Sequence, residues 1–204
     1  MSRVGKNIIS IPAGVTVETE NNTVKVSSGN TVLTQDINSA IQVEIKEGKV
    51  TLSRQNDENQ TRALHGLYNR LIQNMILGVT KGFTKTLILN GVGYKANMRG
   101  EDLVLNLGKS HTDEIKAEAG IKVKILTPVE VQALNLGKEG VGLVIQVSGA
   151  NKEQVGQFAS KIRACRKVEP YYMYGIRYSD EKIIRKETKK AKGGKAGGAK
   201  GGKK

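Results

Sequence analysis

The hydrophobic period of this chain switches twice from two to about three and a half, and that repeat constrains the fold more than any other feature. In the first half Val15, Val17 and Thr19, then Val24 and Val26, Val43 and Ile45, and Val50 and Leu52 alternate with polar positions. Such alternation marks strands with one buried face. Asn21-Asn22 and Glu47-Gly48 suit tight hairpin turns, since Asn and Gly tolerate the left-handed backbone these require. From Asn56 to Val79 the apolar residues Leu64, Leu67, Tyr68, Leu71, Ile72, Met75 and Ile76 fall three and four apart, one stripe of a helix. Asp57 with Gln60 reads as a capping box, and Gly78 and Gly82 as stop signals.

The second half repeats the plan. Leu87 and Leu89, then Tyr94, Ala96 and Met98, then Leu103, Leu105 and Leu107 predict strands joined at Gly91–Gly93 and Arg99-Gly100. Further strands are expected at 121–126, 129–134 and 143–147. A helix comes next over about 151–167, with Val155, Phe158, Ala159, Ile162 and Cys165 inward and Asn151 as its cap. Sliding Ser53 onto Ser148 sets Asn56 on Asn151 and Glu58 on Glu153. This period is too long for a solenoid unit, so a duplicated domain explains it better. The expected fold class is α+β: two tandem duplicated domains, 1–82 and 83–178, each an antiparallel sheet packed against one main helix. A disordered basic tail is expected at 179–204, where Lys, Gly and Ala dominate and little can be buried.

Charge gives the partner class. Residues 1–82 hold nine basic and seven acidic residues, residues 83–178 fourteen and nine, and residues 179–204 ten and three. Half of the net +14 thus sits in the last 26 residues, and such asymmetry favours a polyanion. The single cysteine, Cys165, cannot form an internal disulfide and suits a reducing compartment. With no membrane-length apolar run and no signal-peptide core near Met1, a cytosolic protein is expected.

Within the second half, residues 161–178 (KIRACRKVEPYYMYGIRY) concentrate the signal. Lys161, Arg163, Arg166, Lys167 and Arg177 face a single acid, Glu169, and Tyr171, Tyr172, Tyr174 and Tyr178 are interleaved with them. Cations pair with phosphate and rings stack on bases or sugars, so the stretch suits RNA. Its alternative is a solvated sheet edge with the tyrosines packed on it. Pro170 should end the preceding helix and start a loop or edge strand, leaving Arg166 at the rim. Lys182, Arg185 and Lys186 continue the basic run, and Lys109 and His111 form a second candidate group.

Catalysis finds no support. Gly108-Lys109-Ser110 resembles the end of a phosphate-binding loop, but Leu103 stands where its first glycine belongs. His65 lies beside the helical stripe, without metal or catalytic companions, and reads as structural. Glu101-Asp102 and Asp113-Glu114 read as solvated turn acids. No cofactor and no metal site are expected. A general basic nucleic-acid-binding protein, binding duplex DNA as well as structured RNA, would share the charge and the tail.

Four blocks in order carry a family resemblance. They are MSRVGKNIISIPAGV at the start, RALHGLYNRLIQNMILGVTKGFTKTLILNGVGYKA over 62–96, LNLGKSH over 105–111 and VEPYYMYGIRYSDE over 168–181. Together they resemble the bacterial large-subunit ribosomal protein six family across nearly the whole chain. The resemblance implies two tandem domains of like fold and a structural role without chemistry. It implies that the C-terminal domain grips large-subunit ribosomal RNA near the sarcin–ricin loop. Neighbouring ribosomal proteins and nearby translation factors are then partners, no membrane is involved, and the location is the ribosome in the cytoplasm. The family's C-terminal signature usually runs Pro-Glu-Pro-Tyr-Lys-Gly-Lys-Gly-Ile. Here Val168 replaces the first proline, and Tyr172-Met173-Tyr174 replaces Lys-Gly-Lys. Lys109 stands where the family usually has Tyr before Ser-His, and 132–142 looks longer than usual.

Overall fold

The structure is a computed structural model that describes residues 4–29, 31–46, 48–133 and 142–187. The first half runs β1 (Ile9–Ser10), β2 (Thr16–Glu20), β3 (Thr23–Ser28), β4 (Thr31–Asp36), β5 (Ile41–Lys46), β6 (Lys49–Arg54) and α1 (Asn59–Thr80). The second runs β7 (Phe83–Asn90), β8 (Lys95–Arg99), β9 (Asp102–Asn106), β10 (Asp113–Ile115), β11 (Ile121–Leu126), α2 (Pro128–Ala133), β12 (Leu143–Gly149), α3 (Lys152–Cys165) and β13 (Gly175–Tyr178).

Each half contains two sheets. A meander, β2-β3-β4 in the first half and β8-β9-β10 in the second, accompanies a sheet ordered β1-β6-β5 or β11-β12-β7-β13. All pairings are antiparallel. The alternation predicted from sequence holds for Val15, Val24, Val26 and Val50, which turn inward with Ile9 and Ile41 onto Ile72, Met75 and Ile76 of α1, whereas Thr19 and Ile45 are exposed. In the second half Leu87, Leu89, Leu103, Leu105, Ile145 and Val147 close on Val155, Phe158, Ala159 and Ile162 of α3. Register confirms the duplication, since Ile9 pairs with Val50, and Leu87 pairs with Ile145, the counterpart of Val50 in the second half. Asn21 and Asn22 both take positive φ, 44° and 65°, as the predicted hairpin needs.

Several expectations change. The single sheet per half is two sheets. The strand expected at 129–134 is helix α2 over its described part, and Leu134 lies outside the described residues. The reason is a capping box: Glu130 Oε2 accepts from Thr127 N–H at 2.9 Å, with Pro128 in the first turn. Val131 of α2 covers a small second core with Ile88, Leu126 and Val144 on the sheet face away from α3. Asp113-Glu114 belongs to β10. The cap expected at Asp57 is absent: Glu58 occupies the N-cap without a side-chain bond, and Asp57 accepts from Arg54 Nε at 2.7 Å. Leu67, placed in the stripe, is 51% exposed.

Gly78 does not stop α1 but lies inside it, where a Cβ would come within 2.0 Å of the Ala150 carbonyl oxygen. Gly82, at φ +71°, does end the helix, donating to the Gly78 carbonyl at 3.0 Å. His65 is structural as expected: it is buried, with Nε2 3.0 Å from the Leu52 carbonyl oxygen.

Candidate nucleic-acid interface

The candidate surface starts where α3 ends. Asn151 caps the helix, accepting from Glu153 N–H at 3.0 Å. The helix stops at Cys165, and Arg166 is extended (φ −147°, ψ 100°), so Pro170 does not end it directly. The chain then forms a compact loop over 166–174. Met173 N–H donates to Glu169 O at 3.0 Å, Glu169 N–H to Tyr174 O at 2.9 Å, and Ile176 N–H to Arg166 O at 2.9 Å. Gly175 makes the return possible: at φ +136°, a Cβ there would lie 2.7 Å from both Lys167 O and the Val168 Cα.

The next strand is the expected edge strand. β13 pairs with β7, Ile176 opposite Leu89 and Arg177 opposite Ile88. Ile176 is fully buried in the core beneath α3, so Arg177 projects to the opposite face. Tyr178 packs against the core. Tyr171, Tyr172 and Tyr174 are exposed by 40%, 58% and 37%, and the last two stack with ring centroids 5.8 Å apart.

The cations divide into two groups. Arg163 binds Glu181 through two bonds, Nε to Oε2 at 3.0 Å and Nη2 to Oε1 at 2.5 Å, and its guanidinium lies 5.7 Å from the Tyr178 ring centroid. Lys161 pairs with Glu118 at 2.5 Å and Lys109 with Asp113 at 2.8 Å. The exposed His111 has Nε2 3.4 Å from Asp113 Oδ1. Arg185 Nε donates to the Tyr171 carbonyl at 3.2 Å. By contrast, Arg166, Lys167, Arg177, Lys182 and Lys186 make no ion pair with described residues. Glu169, the sole partner evident in sequence, pairs with none of the cations. Its place is taken by Glu181, Glu118 and Asp113, which long-range folding supplies.

Lys109 and Asp113 also meet this end of the helix. The Cys165 thiol is pushed up chiefly by burial and then by Asp113, while Lys109 pulls it down. Cys165 is only half-buried, less inward than its spacing suggested, and its Sγ contacts the Lys161 carbonyl at 3.4 Å.

Residues 179–187 do not detach from the domain, although the sequence places the loose tail from 179. Ser179 N–H donates to Thr86 O at 3.0 Å, and Lys186 N–H reaches Pro170 O at 2.9 Å. A strap therefore runs back along the tyrosine loop; the remainder of the expected tail, 188–204, lies outside the described residues. Sequence reasoning missed Glu181 and Gly175. The signal for Glu181 was an acid three residues beyond Tyr178, after the turn-prone Ser179-Asp180. Among the described residues no three His, Cys, Asp or Glu side chains are grouped to hold a metal ion. None of the described helices is long and apolar enough to cross a membrane.

Comparison with known proteins decides the family. The profile described as Ribosomal protein L6 matches residues 11–82 and 90–179. The chain belongs to the ribosomal protein L6 family. Members of this family are structural, RNA-binding components of the ribosome and not enzymes. Among its relatives, the large ribosomal subunit protein uL6 of Exiguobacterium sibiricum is 44% identical over 94% of this chain and all of its own length. The proteins of the same name from Bacillus cereus and Clostridium perfringens are 43% and 45% identical over the same shares.

Proposed function

We propose that this protein binds large-subunit ribosomal RNA as a structural part of that subunit, and that residues 161–187 form the main contact. One observation carries the reading: within 161–187, Arg166, Lys167, Lys182 and Lys186 form no ion pair with described residues, Arg177 is attracted to Glu181 without a close pair, and three tyrosines of the same stretch are exposed. Solvent tolerates such unpaired cations, and a phosphate backbone neutralises them together. The stacked Tyr172 and Tyr174 stand where relatives usually carry lysines, so stacking on a base replaces ion pairing there. Lys109, His111, Lys161, Arg163, Arg185 and Tyr178 belong to the same surface but act mainly through their intramolecular bonds.

The family resemblance supports a position near the sarcin–ricin loop, close to the docking region of translation factors and beside other large-subunit proteins. It also supports a location on cytoplasmic ribosomes. The division read from the sequence is 1–82 and 83–178; because 179–187 are tied back to the second half, 188–204 is the part proposed to add sequence-independent charge. Arg166→Ala and Arg177→Ala should each lower affinity for large-subunit RNA and reduce the salt slope by about one, with Tm nearly unchanged. Chemical footprinting of the bound RNA tests the location, and protection remote from the sarcin–ricin loop would move the site. Equal affinity for duplex DNA would favour a general nucleic-acid-binding role instead.

A further inference from the structure

A phosphate-binding surface gains nothing from a carboxylate in its midst, yet Glu181 sits there among three donors. Besides both Arg163 bonds, its Oε2 accepts from Tyr178 N–H at 3.2 Å. The Arg163 hydrogen bonds, aided by the Tyr178 amide, hold its carboxyl below the ordinary range, so at neutral pH it is ionised and engaged. Arg163 lies in the last turn of α3 and Glu181 near the start of the strap.

We propose that Glu181 is a positioning residue for RNA binding: with Arg163 it clasps residues 179–187 to α3, setting Lys182, Arg185 and Lys186 beside the tyrosine loop. This rests on the reading of 161–187 as the RNA surface. Among the described residues the strap joins no strand ladder beyond Ser179; near its start Glu181 N–H donates to Tyr178 O at 3.2 Å and Asp180 lies 4.0 Å from Lys85 Nζ, and its far end is fixed by the bonds from Arg185 and Lys186 to Tyr171 and Pro170. An extended segment held so sparsely samples many conformations once its anchor is cut, and that freedom is lost again when it binds. Arg163 is well placed as the anchor because its planar fork matches a carboxylate at two atoms, which a lysine cannot do.

The expected effect has an unusual sign. Glu181→Gln removes a negative charge, and electrostatics alone then predicts tighter binding to RNA. Loss of the clasp predicts weaker binding, roughly fivefold or more, the scale of one or two lost ordered contacts. The full chain is titrated with transcribed large-subunit RNA at fixed salt, with Tm recorded for each variant. Amide exchange in Glu181→Gln should show Lys186 N–H losing protection while Phe158 and Ile162 keep theirs. The double exchange Arg163→Glu with Glu181→Arg, which leaves net charge unchanged, should recover most of the affinity.

Unchanged or tighter binding by Glu181→Gln, a Lys186 amide that stays protected, or a double exchange that remains weak would each overturn the clasp. If Glu181→Gln fails to fold, the double exchange alone decides, by tight or weak binding. Arg166→Ala separates the two readings. Loss of affinity there with none in Glu181→Gln sinks the clasp alone, whereas no effect in either sinks the RNA surface as well.

Discussion

The two halves of this molecule are one scaffold built twice, and they part ways just after the main helix. β1-β6-β5 corresponds to β7-β12-β11, the two meanders correspond, and α1 corresponds to α3. After α1 the chain passes through Lys81-Gly82 straight into β7. After α3 it makes the 166–174 loop, adds β13 to the free edge of β7 and continues into the strap. The helices differ as well. α1 spans 22 residues and buries Thr61, His65 and Asn69, and Asn69 Nδ2 holds the N-terminal segment through the Asn7 carbonyl at 2.8 Å. α3 spans 14 residues and buries only apolar ones. The lesson is that the copied part builds the two cores, while most of the candidate interface, the 166–174 loop, β13 and the strap, has no counterpart in the first half.

Separating the halves should break this symmetry most visibly. Residues 83–187 should retain RNA binding, while residues 1–82 should lose it by about a hundredfold or more at moderate salt, on the order expected when several phosphate contacts go. Titration of the two fragments against the same RNA checks this; equal affinities would place the interface in the scaffold itself.

Two glycines test the same contrast within the intact chain. Gly175→Ala forces a Cβ against backbone at a φ that L residues rarely adopt, so it should cost roughly 2–4 kcal/mol and RNA affinity together. Gly78→Ala, which drives a Cβ into the Ala150 carbonyl, should lower stability by a similar amount but leave RNA affinity intact at matched folded fraction. Urea denaturation with parallel binding assays distinguishes them.

Acid gives the smallest difference. Glu181 has its carboxyl depressed from 4.5, so its stabilising contribution is complete above 4.5 and disappears as pH falls through the lower folded value. Glu20 and Glu44 in the first half are depressed too, but through surface pairs with Lys25 and Lys46. As pH falls below 4.5 and Glu181 is protonated, the Lys186 amide should lose exchange protection while the amides of β3, held in a strand ladder, keep theirs. Loss at both places together would mean unfolding of the whole chain and not release of the clasp.

Much of the scaffold was legible because burial writes itself into periodicity. Val24 and Val26, Leu103 and Leu105, and Phe158 with Ile162 are inward by spacing alone. Local chemistry was legible too, but easily outvoted: Thr127-Pro128-Val129-Glu130 is a complete helix start, yet the alternating Val129 and Val131 suggested a strand. Leu67 keeps helical spacing and still lies outside, in a cleft lined also by Leu71, Asn151 and Lys152, because the stripe of α1 is wider than the core it covers. The candidate site was legible as a composition but not as a circuit. Which cations stay free depends on Glu118, Asp113 and Glu181, whose approach is set by the tertiary fold and leaves no trace in spacing.

Gly78 carries a mechanical consequence. The backbone of α1 meets the Ala150 carbonyl so closely that no methyl group fits between them, and Lys152 Nζ reaches Asn74 Oδ1 at 3.4 Å alongside. At this point the two halves meet without room for a side chain, so any residue larger than glycine at position 78 must push the start of α3 away from α1.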